Sequence, residues 1–353
     1  MTAVTPLYMF THVNNICTNV TERNLMPLPR DPATLLAAAR LYYVEGRSQA
    51  DIAEQLRTSR SNVSRMLSEA QKQGIVEIRI HDPGGRVHAL EEEIQGLFGL
   101  RDVRVALTAG PGSRADDLVG TQASRLLMDN IKDSMTVALS WGHALQAMVY
   151  ATTTDLEHTG LNLVQLVGGL SAIRNEISGQ ELVRELAVRL GAGYRFLHAP
   201  ATFETSTARE SLLAEPSIAD ALDAARSADL AVVGIGVPTH GSSAAIVDSL
   251  NLSAEEREAF WDARPVGDIA ARYYGVSGQP IHGAVESRIL GVTLEDLMAV
   301  PHVIGVAQGR AKVPGVLGAL RGHLIDSLVC DEPLARHLLS EARTAPATDD
   351  GGS

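Results

Sequence analysis

The stretch 59–67, SRSNVSRML, combines polar side chains with apolar ones at helical spacing. Val63, Met66 and Leu67 would lie on one face of a helix, with serine, asparagine and arginine on the other. Arginine can donate two hydrogen bonds to guanine, and asparagine can pair with adenine, in the major groove of DNA. We therefore predict that this helix and the preceding turn contact DNA through Arg57, Arg60, Ser61, Asn62, Ser64 and Arg65.

The local charge favours the same interpretation. The whole chain has a formal net charge of -12, which argues against a protein coated in nucleic acid. Between residues 57 and 72, however, the basic residues Arg57, Arg60, Arg65 and Lys72 oppose one acidic residue, Glu69. This positive charge would face DNA phosphates. The alternative is a set of helices that contacts another protein.

Three predicted helices position this stretch. Capping residues and periodic apolar positions predict helices over 33–45, 48–56 and 60–73, begun by Asp31, Ser48 and Ser59. Alternation over 75–80 predicts a short β-ribbon, which completes a winged helix-turn-helix. On the first helix we expect one buried stripe, formed by Leu35, Leu36, Ala39 and Tyr43.

From Val103 onward, short apolar runs alternate with helical patterns, which is typical of a doubly wound α/β domain with a parallel sheet. The predicted strands are 103–107, 136–140, 163–167, 194–198, 230–235, 303–307 and 325–329. Helices are expected over 116–132, 180–190 and 312–321. Residues 86–100, with apolar positions at helical intervals, predict a helix that connects the two parts of the chain.

Several glycine-containing junctions follow the predicted strands. They are Ser140-Trp141-Gly142, Gly168-Gly169, Gly234-Ile235-Gly236 and Gln308-Gly309. In open α/β sheets, ligands bind beyond the carboxyl ends of the strands, where glycine lets the backbone approach and helix N-termini offer free amides. The junctions therefore predict one ligand pocket. The alternative for any one of them is tight packing at a strand end.

The motifs together resemble the SorC-type regulators of sugar operons. The N-terminal match comprises Ser48-Gln49-Ala50-Asp51-Ile52-Ala53 and Asn62-Val63-Ser64-Arg65-Met66-Leu67. The C-terminal match comprises Leu139-Ser140-Trp141-Gly142, Gln165-Leu166-Val167-Gly168-Gly169, Val266-Gly267-Asp268-Ile269, Ala307-Gln308-Gly309-Arg310-Ala311-Lys312, Leu320-Arg321-Gly322 and Asp331-Glu332. Each segment alone is weak evidence for the family. Together, in this order and at this spacing, the segments cover residues 35–340.

The resemblance implies an effector domain similar to sugar-phosphate isomerase folds. Carried over residue by residue, it places Trp141, Gly142, His143, Gly168, Gly169, Asp268 and Lys312 around the effector. Lys312 would hold a phosphate and Asp268 would accept hydrogen bonds from hydroxyls. The alternatives are a solvated lysine and an aspartate that caps a helix. After Trp141-Gly142 many relatives have arginine and then threonine or serine, whereas this chain has His143-Ala144, so a neutral polyol or free sugar is also expected.

Composition limits the remaining classes. With 45% hydrophobic and 20% charged residues, the chain is typical of a globular protein. Its apolar runs are shorter than the roughly 20 residues of a membrane span, and no secretory signal is visible, which predicts a cytoplasmic protein. Cys17 and Cys330 form no metal-ligand motif, so no metal and no cofactor is expected. The predicted divisions are a flexible leader (1–30), the winged helix-turn-helix (31–83), a linker helix (84–100), the effector domain (101–340) and a disordered tail (341–353).

These patterns predict a transcription regulator of a carbohydrate or polyol catabolic operon, not an enzyme. Its expected partners are operator DNA and a sugar, polyol or sugar-phosphate effector, and we expect a homodimer or homotetramer because paired recognition helices match two half-sites. One alternative is a sugar-phosphate isomerase-like enzyme with an accessory helical module. Another is an architectural DNA binder that responds to no ligand. The sequence leaves open the operator and the choice between repression and activation.

Overall fold

The computed structural model describes residues 31–76, 85–107, 115–153, 158–170 and 178–344. These residues form two compact units, one within the first 80 residues and the other from residue 81 onward. The predicted ribbon over 75–80 falls largely on residues 77–84, outside the described ranges, so the wing stays a prediction.

The first unit contains three helices: α1 (Pro32–Ala39), α2 (Gln49–Gln55) and α3 (Arg60–Lys72). All three predicted caps form. Asp31 accepts from the Ala33 amide, Ser48 forms a capping box with Asp51, and Ser59 accepts from the Asn62 amide. Each cap satisfies a backbone amide that lacks an acceptor within its helix.

The buried stripe of the first helix differs from the predicted one. Leu36 is 48% exposed and Tyr43 is 40% exposed, whereas Leu41 is buried. The reason is a π-helical turn, Arg40–Val44, that follows α1 directly. This wider turn shifts the positions after Ala39 relative to an α-helix, so the ideal helical spacing no longer identifies the buried side. The resulting core is Leu35, Ala38, Ala39, Leu41, Ile52, Ala53, Val63, Met66, Leu67 and Ala70.

The second unit is built on a parallel sheet with helices on its faces, which confirms the predicted α/β class. Its parallel strands are β1 (Asp102–Ala106), β2 (Thr136–Leu139), β3 (Asn162–Gln165), β4 (Gly193–Arg195), β5 (Leu230–Gly236), β8 (Val303–Ala307) and β9 (Ser327–Asp331). The strand order is β1-β9-β8-β5-β2-β3-β4. From β2 the chain continues outward to β3 and β4, and from β5 it continues in the opposite direction to β8 and β9. The topological switch point of the sheet therefore lies between β2 and β5.

A two-stranded hairpin extends the sheet at the end of β5. It comprises β6 (Gly267–Ile269) and β7 (Arg272–Tyr274), and β6 pairs with β5 in antiparallel fashion, Gly236 opposite Asp268. The sequence analysis did not predict these strands, which are three residues long and fully buried. The bounds of the predicted strands 194–198 and 325–329 differ by one to three residues from those of β4 and β9.

The helices of the second unit cover both faces of this sheet. They are α4 (His88–Phe98), α5 (Ala115–Asn130), α6 (His143–Ala151), α7 (Gly179–Leu190), α8 (Ser206–Leu213), α9 (Pro216–Arg226), α10 (Gly241–Ser249), α11 (Ala254–Asp262), α12 (Ala284–Ser287), α13 (Leu294–Met298), α14 (Val313–Arg321) and α15 (Glu332–Thr344). A 3₁₀ turn, Arg310–Lys312, leads directly into α14.

Helix α4 occupies the segment interpreted above as a linker. It packs against β1 and α15, with Leu90 and Ile94 in the core of the second unit. Its buried Glu91 accepts two hydrogen bonds from the Arg86 guanidinium, both 2.9 Å, and one of 2.8 Å from the Val105 amide. These bonds compensate the carboxylate for its lost hydration and tie α4 to the sheet. The domain boundaries themselves stay predictions.

Candidate functional site

Helix α3 presents a polar face and an apolar underside, as its sequence predicts. Val63, Met66, Leu67 and Ala70 are buried, whereas Arg60, Ser61, Ser64 and Arg65 are exposed. Arg57 is also exposed and lies in the turn before α3, with a left-handed φ of 49°. The exposed face therefore carries two arginines and two serines near the start of the helix, where base edges are reached in a helix-turn-helix.

Asn62 differs from the other candidates on this face. It is half-buried, and its Nδ2 donates a 2.7 Å hydrogen bond to Thr58 Oγ1. The side chain thus ties the first turn of α3 to the turn that precedes it. An adenine contact through the amide would require this bond to be shared or exchanged.

In the second unit, a cavity of about 360 Å³ lies at the carboxyl ends of β2, β5 and β8. This is the switch point of the sheet, where ligands bind in open α/β folds. The cavity brings together five of the predicted effector residues, although they are far apart in sequence: Trp141, Gly142, His143, Asp268 and Lys312.

Three helices begin at this cavity. They are α6, preceded by Gly142; α10, preceded by His240; and α14, preceded by Lys312. None of these three described helix starts has a side-chain cap, whereas α2, α3, α7 and α11 are capped by serine. At α6 and α10 the first amides lack intrahelical acceptors and lie at the positive end of the helix dipole. At α14 the Val313 amide donates to the Arg310 carbonyl oxygen and Pro314 has no N–H. The cavity is therefore suited to the oxygen atoms of a polar or anionic ligand.

Asp268 is the buried carboxylate of this cavity. It lies in β6, which rules out the alternative of a helix cap, and its Oδ1 accepts a short hydrogen bond from Ser243 Oγ at the start of α10. Burial raises the pKa of Asp268, while hydrogen bonds from Ser243 and the Ala271 amide and the charge of Lys312 oppose that rise. The Asp268 carboxyl group thus interacts with α10 through Ser243, with the hairpin turn through Ala271 and with Lys312. It also lines the cavity.

Lys312 is half-buried at the same cavity. Burial lowers the pKa of its ammonium group, and the nearby Asp268 carboxylate acts in the opposite direction. A fully solvated lysine side chain would show neither the lowering of its pKa by burial nor the opposing influence of a carboxylate. The site therefore offers a hydrogen-bond acceptor and a cation within one enclosed volume.

The β6–β7 hairpin reaches the cavity through a strained turn. Its two central residues, Ala270 and Ala271, have φ values of 51° and 63° and line the cavity. Two-residue hairpin turns of this kind need positive φ at both positions and are usually Asn-Gly. In alanine the left-handed conformation costs roughly 1–2 kcal/mol per residue. This backbone geometry lets the Ala271 amide donate to Asp268.

Gly236 and Tyr273 support the Ser243–Asp268 pair. A Cβ placed on Gly236 would overlap both Ser243 Oγ and Asp268 Oδ1, so only glycine leaves room for their hydrogen bond. Buried Tyr273 donates a 2.5 Å hydrogen bond from its hydroxyl to the Ser243 carbonyl oxygen. These contacts fix the start of α10 against the hairpin.

The structure does not place Gly168 and Gly169 at this cavity. A Cβ at Gly168 would lie 2.5 Å from the Pro200 carbonyl oxygen, and the Gly169 amide donates to Ala199 at 2.8 Å. Both glycines allow close packing of neighbouring backbone, which is the alternative that the sequence left open. Their assignment to the effector is not supported by the geometry of the described residues.

Sequence reasoning missed the contribution of α10. Ser243 and Gly241 line the cavity because α10 begins a few residues after β5. The available signal was Gly241-Ser242-Ser243, a glycine followed by hydroxyl side chains shortly after a predicted strand. Asp268 and Ser243 are 25 residues apart, so no local pattern indicates that they pair.

The residues that the structure describes contain no metal-ligand cluster and no membrane-spanning helix. No group of three or more histidine, cysteine, aspartate or glutamate side chains there could hold a metal ion. Within the same ranges, no helix has the length and apolar character needed to cross a membrane.

Comparison with known families and proteins identifies both units. A sugar-binding domain model matches residues 83–340, and a MarR family model matches residues 31–86. The chain is 30% identical to the deoxyribonucleoside regulator of Bacillus subtilis, over 87% of this chain and 97% of that protein. It is 28% identical to the sorbitol operon regulator of Klebsiella pneumoniae, over 88% of this chain and 98% of that protein.

A solved structure agrees with these matches along the chain. The crystal structure of the full-length sorbitol operon regulator SorC from Klebsiella pneumoniae superposes with a TM-score of 0.66 and 26% identity, covering 87% of this chain and 98% of that one. The DNA-binding helices and the α/β domain thus occur together in a known regulator. The chain belongs to the SorC family of sugar-binding transcriptional regulators.

Proposed function

We propose that this regulator controls a carbohydrate or polyol catabolic operon and responds to a sugar, polyol or sugar-phosphate effector. The observation that carries the proposal is the cavity at the switch point, where Asp268, Lys312 and three uncapped helix starts converge. Two of the similar proteins are named for sorbitol and for deoxyribonucleosides. A volume of about 360 Å³ is in the range of small-molecule sites.

Each end of the cavity suits a different part of such a ligand. Asp268 accepts hydrogen bonds from ligand hydroxyls, and the Lys312 ammonium binds a phosphate or another oxygen-rich group. Trp141 and Gly142 form the wall at the end of β2. His143, at the start of α6, replaces the arginine of many relatives, so free sugars and polyols stand beside phosphate esters as effectors.

Operator recognition is assigned to the exposed face of α3. Arg60 and Arg65 contact base edges or phosphates, with Ser61 and Ser64 between them, and Arg57 approaches the backbone from the preceding turn. Asn62 contributes by fixing the start of α3, through the hydrogen bond that its Nδ2 donates to Thr58 Oγ1. We further propose a homodimer or homotetramer that works in the cytoplasm, since two half-sites of an operator call for two recognition helices.

We also propose that the cavity senses its ligand without converting it. Isomerisation requires a general base that is free to take a proton from the substrate carbon. Asp268 instead accepts hydrogen bonds from Ser243 and Ala271. Incubation with a panel of sugar phosphates tests this point, because turnover would favour the isomerase-like alternative and saturable binding without turnover favours a sensor.

The deciding experiment combines a thermal-shift screen with operator titration. A ligand of the folded state raises the unfolding temperature by mass action, so sugars, polyols and their phosphates are screened first. Hits are then added to gel-shift titrations on the DNA upstream of the regulator's gene. We expect at least one hit to change operator affinity. Affinity that no such metabolite changes would refute the proposed function and favour an architectural DNA binder. Light scattering of the purified protein tests the oligomer.

A further inference from the structure

A second polar feature lies at the carboxyl end of β3, next to the cavity. Gln165 is the last residue of β3 and is 2% exposed. Its Oε1 accepts a 2.9 Å hydrogen bond from the Leu197 amide, which fixes the orientation of the side-chain amide. Its Nε2, in contrast, has no hydrogen-bond partner among the described residues. A buried donor without an acceptor costs about 1–3 kcal/mol.

The Gln165 amide points toward the start of α7. A Cβ placed on Gly179, the first residue of α7, would lie 3.3 Å from Gln165 Nε2 and 3.8 Å from the Trp141 ring. Helix α7 has 12 residues, and its Ser178 cap accepts from the Glu181 amide. The amides of Gly179 and Gln180 precede that bond and have no intrahelical acceptor. Three donor nitrogens, Gln165 Nε2 and the amides of Gly179 and Gln180, are therefore available at the start of α7.

We propose that this cluster is a subsite for a phosphate group of the effector. The inference rests on the proposed function and extends it. One phosphate oxygen accepts from Gln165 Nε2, and the others accept from the first amides of α7, at the positive end of the helix dipole. Trp141 lines the main cavity, and a Cβ placed on Gly179 would lie 3.8 Å from its side chain. A ligand that spans it places hydroxyls near Asp268 and the phosphate at α7.

The subsite explains how a phosphorylated effector can bind although His143-Ala144 replaces the arginine and hydroxyl of many relatives. The donors at the start of α7 do not depend on the residues at 143 and 144. Glu181 lies in the first turn of α7, but its side chain is exposed, and Arg184 follows on the same exposed side of the helix. Water screens the exposed carboxylate, whereas the Gln165 donor acts in a buried environment.

Trp141 provides a direct readout. The chain has two tryptophans, and the other, Trp261, is partly exposed in α11. In a Trp261→Phe background, the fluorescence of Trp141 is followed during titration with inorganic phosphate at constant ionic strength, with chloride as the control anion. We expect a saturable change with phosphate and none with chloride.

Two variants separate the subsite from the rest of the cavity. Gln165→Glu keeps the acceptor for the Leu197 amide but removes the amide donor, and Gly179→Ala fills the space between Gln165 and Trp141. Each is expected to weaken phosphate binding about ten- to a hundredfold, the range for one hydrogen bond to a charged group. Gly96→Ala in α4, where a Cβ meets open space, is the matched control. Circular dichroism checks folding, and Gly179→Ala decides alone if Gln165→Glu does not fold.

Three results would overturn the subsite. The first is a parent protein whose Trp141 fluorescence shows no saturable change with phosphate. The second is an unchanged phosphate concentration at half-saturation in the folded variants. The third is a fluorescence change that Lys312→Ala abolishes while the Gln165 and Gly179 variants keep it. The last would place phosphate at α14. The proposed function fails by a different observation, operator affinity that no metabolite changes, so the two tests give separate answers.

Discussion

Gly236→Ala is expected to weaken effector binding. The methyl group would overlap both Ser243 Oγ and Asp268 Oδ1, the two atoms of the buried hydrogen bond. Both atoms belong to short side chains on packed backbone. They must separate, and the Asp268 carboxyl then loses the orientation that presents it to a ligand.

The magnitude follows from the bond that is lost. A hydrogen bond to a charged group contributes roughly 1.5–3 kcal/mol, and 1.4 kcal/mol corresponds to a tenfold change in affinity. We therefore expect effector affinity to fall about ten- to a hundredfold. Stability should also fall by about 1–3 kcal/mol, the usual cost of overpacking a buried position.

Calorimetry with the best hit of the metabolite screen measures the affinity, and urea unfolding measures the stability. Gly96→Ala is again the matched control, because its methyl group meets no atom and sits on the exposed side of α4. Alanine there should raise stability by up to about 1 kcal/mol and leave effector binding unchanged. Operator affinity without effector should match wild type in both variants.

The outcome that refutes this reasoning is a folded Gly236→Ala protein with wild-type effector affinity. It would mean that the Ser243–Asp268 bond does not orient a ligand-binding group. An equal loss in Gly96→Ala would instead trace the effect to the assay or to general stability.

Three further perturbations test other parts of the molecule. Arg65→Ala should weaken specific operator binding by about 1–3 kcal/mol in gel-shift titrations, with the fold intact by circular dichroism, because a bidentate base contact is worth that much. Asn62→Ala should also weaken it, because it removes the hydrogen bond to Thr58 that fixes the start of α3. Lys312→Ala should bind operator DNA normally but lose calorimetric affinity for an effector, about ten- to a hundredfold where Lys312 binds a charged ligand group and much less where it binds a neutral hydroxyl. Arg86→Ala should lower the free energy of unfolding in urea by about 3 kcal/mol, because it removes the main partner of the buried Glu91 carboxylate.

Each of these has a control within the same element or interaction class. Lys72→Ala, at the other end of α3, should affect operator binding less than Arg65→Ala. Arg310→Ala, an exposed cation in the 3₁₀ turn, should keep the effector response. Arg336→Ala removes the exposed partner of half-buried Glu332, an i,i+4 pair on α15, and should cost under about 1 kcal/mol. If any control matches its test variant, the specific role assigned to the test residue is wrong.

Local signals made the first unit predictable. Side-chain caps at Asp31, Ser48 and Ser59 depend on residues two to three positions away, so the sequence indicates where each helix begins. Exposure of Leu36 and Tyr43 was not predictable in the same way. It follows from a π-helical turn, which no capping or breaker residue announces.

At the cavity, the predictable part is again what lies next to a strand end. Trp141 and Gly142 follow β2, and Lys312 follows β8, so strand prediction alone places them at the same edge. Asp268, Ser243 and Gly236 come together through the β6–β7 hairpin, whose three-residue strands are too short for a periodic signal. Gly168 and Gly169 do not line the cavity, and a glycine required by packing has the same sequence signature as one required by a ligand.

The alanine turn of the β6–β7 hairpin has a consequence for engineering and for evolution. Asparagine or glycine at Ala270 and Ala271 would adopt the observed backbone without strain, and no change in polar chemistry at Asp268 would be needed. Exchange of one or both residues could therefore raise the free energy of unfolding by one to a few kcal/mol, on the order of the strain in the two residues. Such substitutions at Ala270 and Ala271 could therefore offset the loss of stability caused by mutations that alter effector choice.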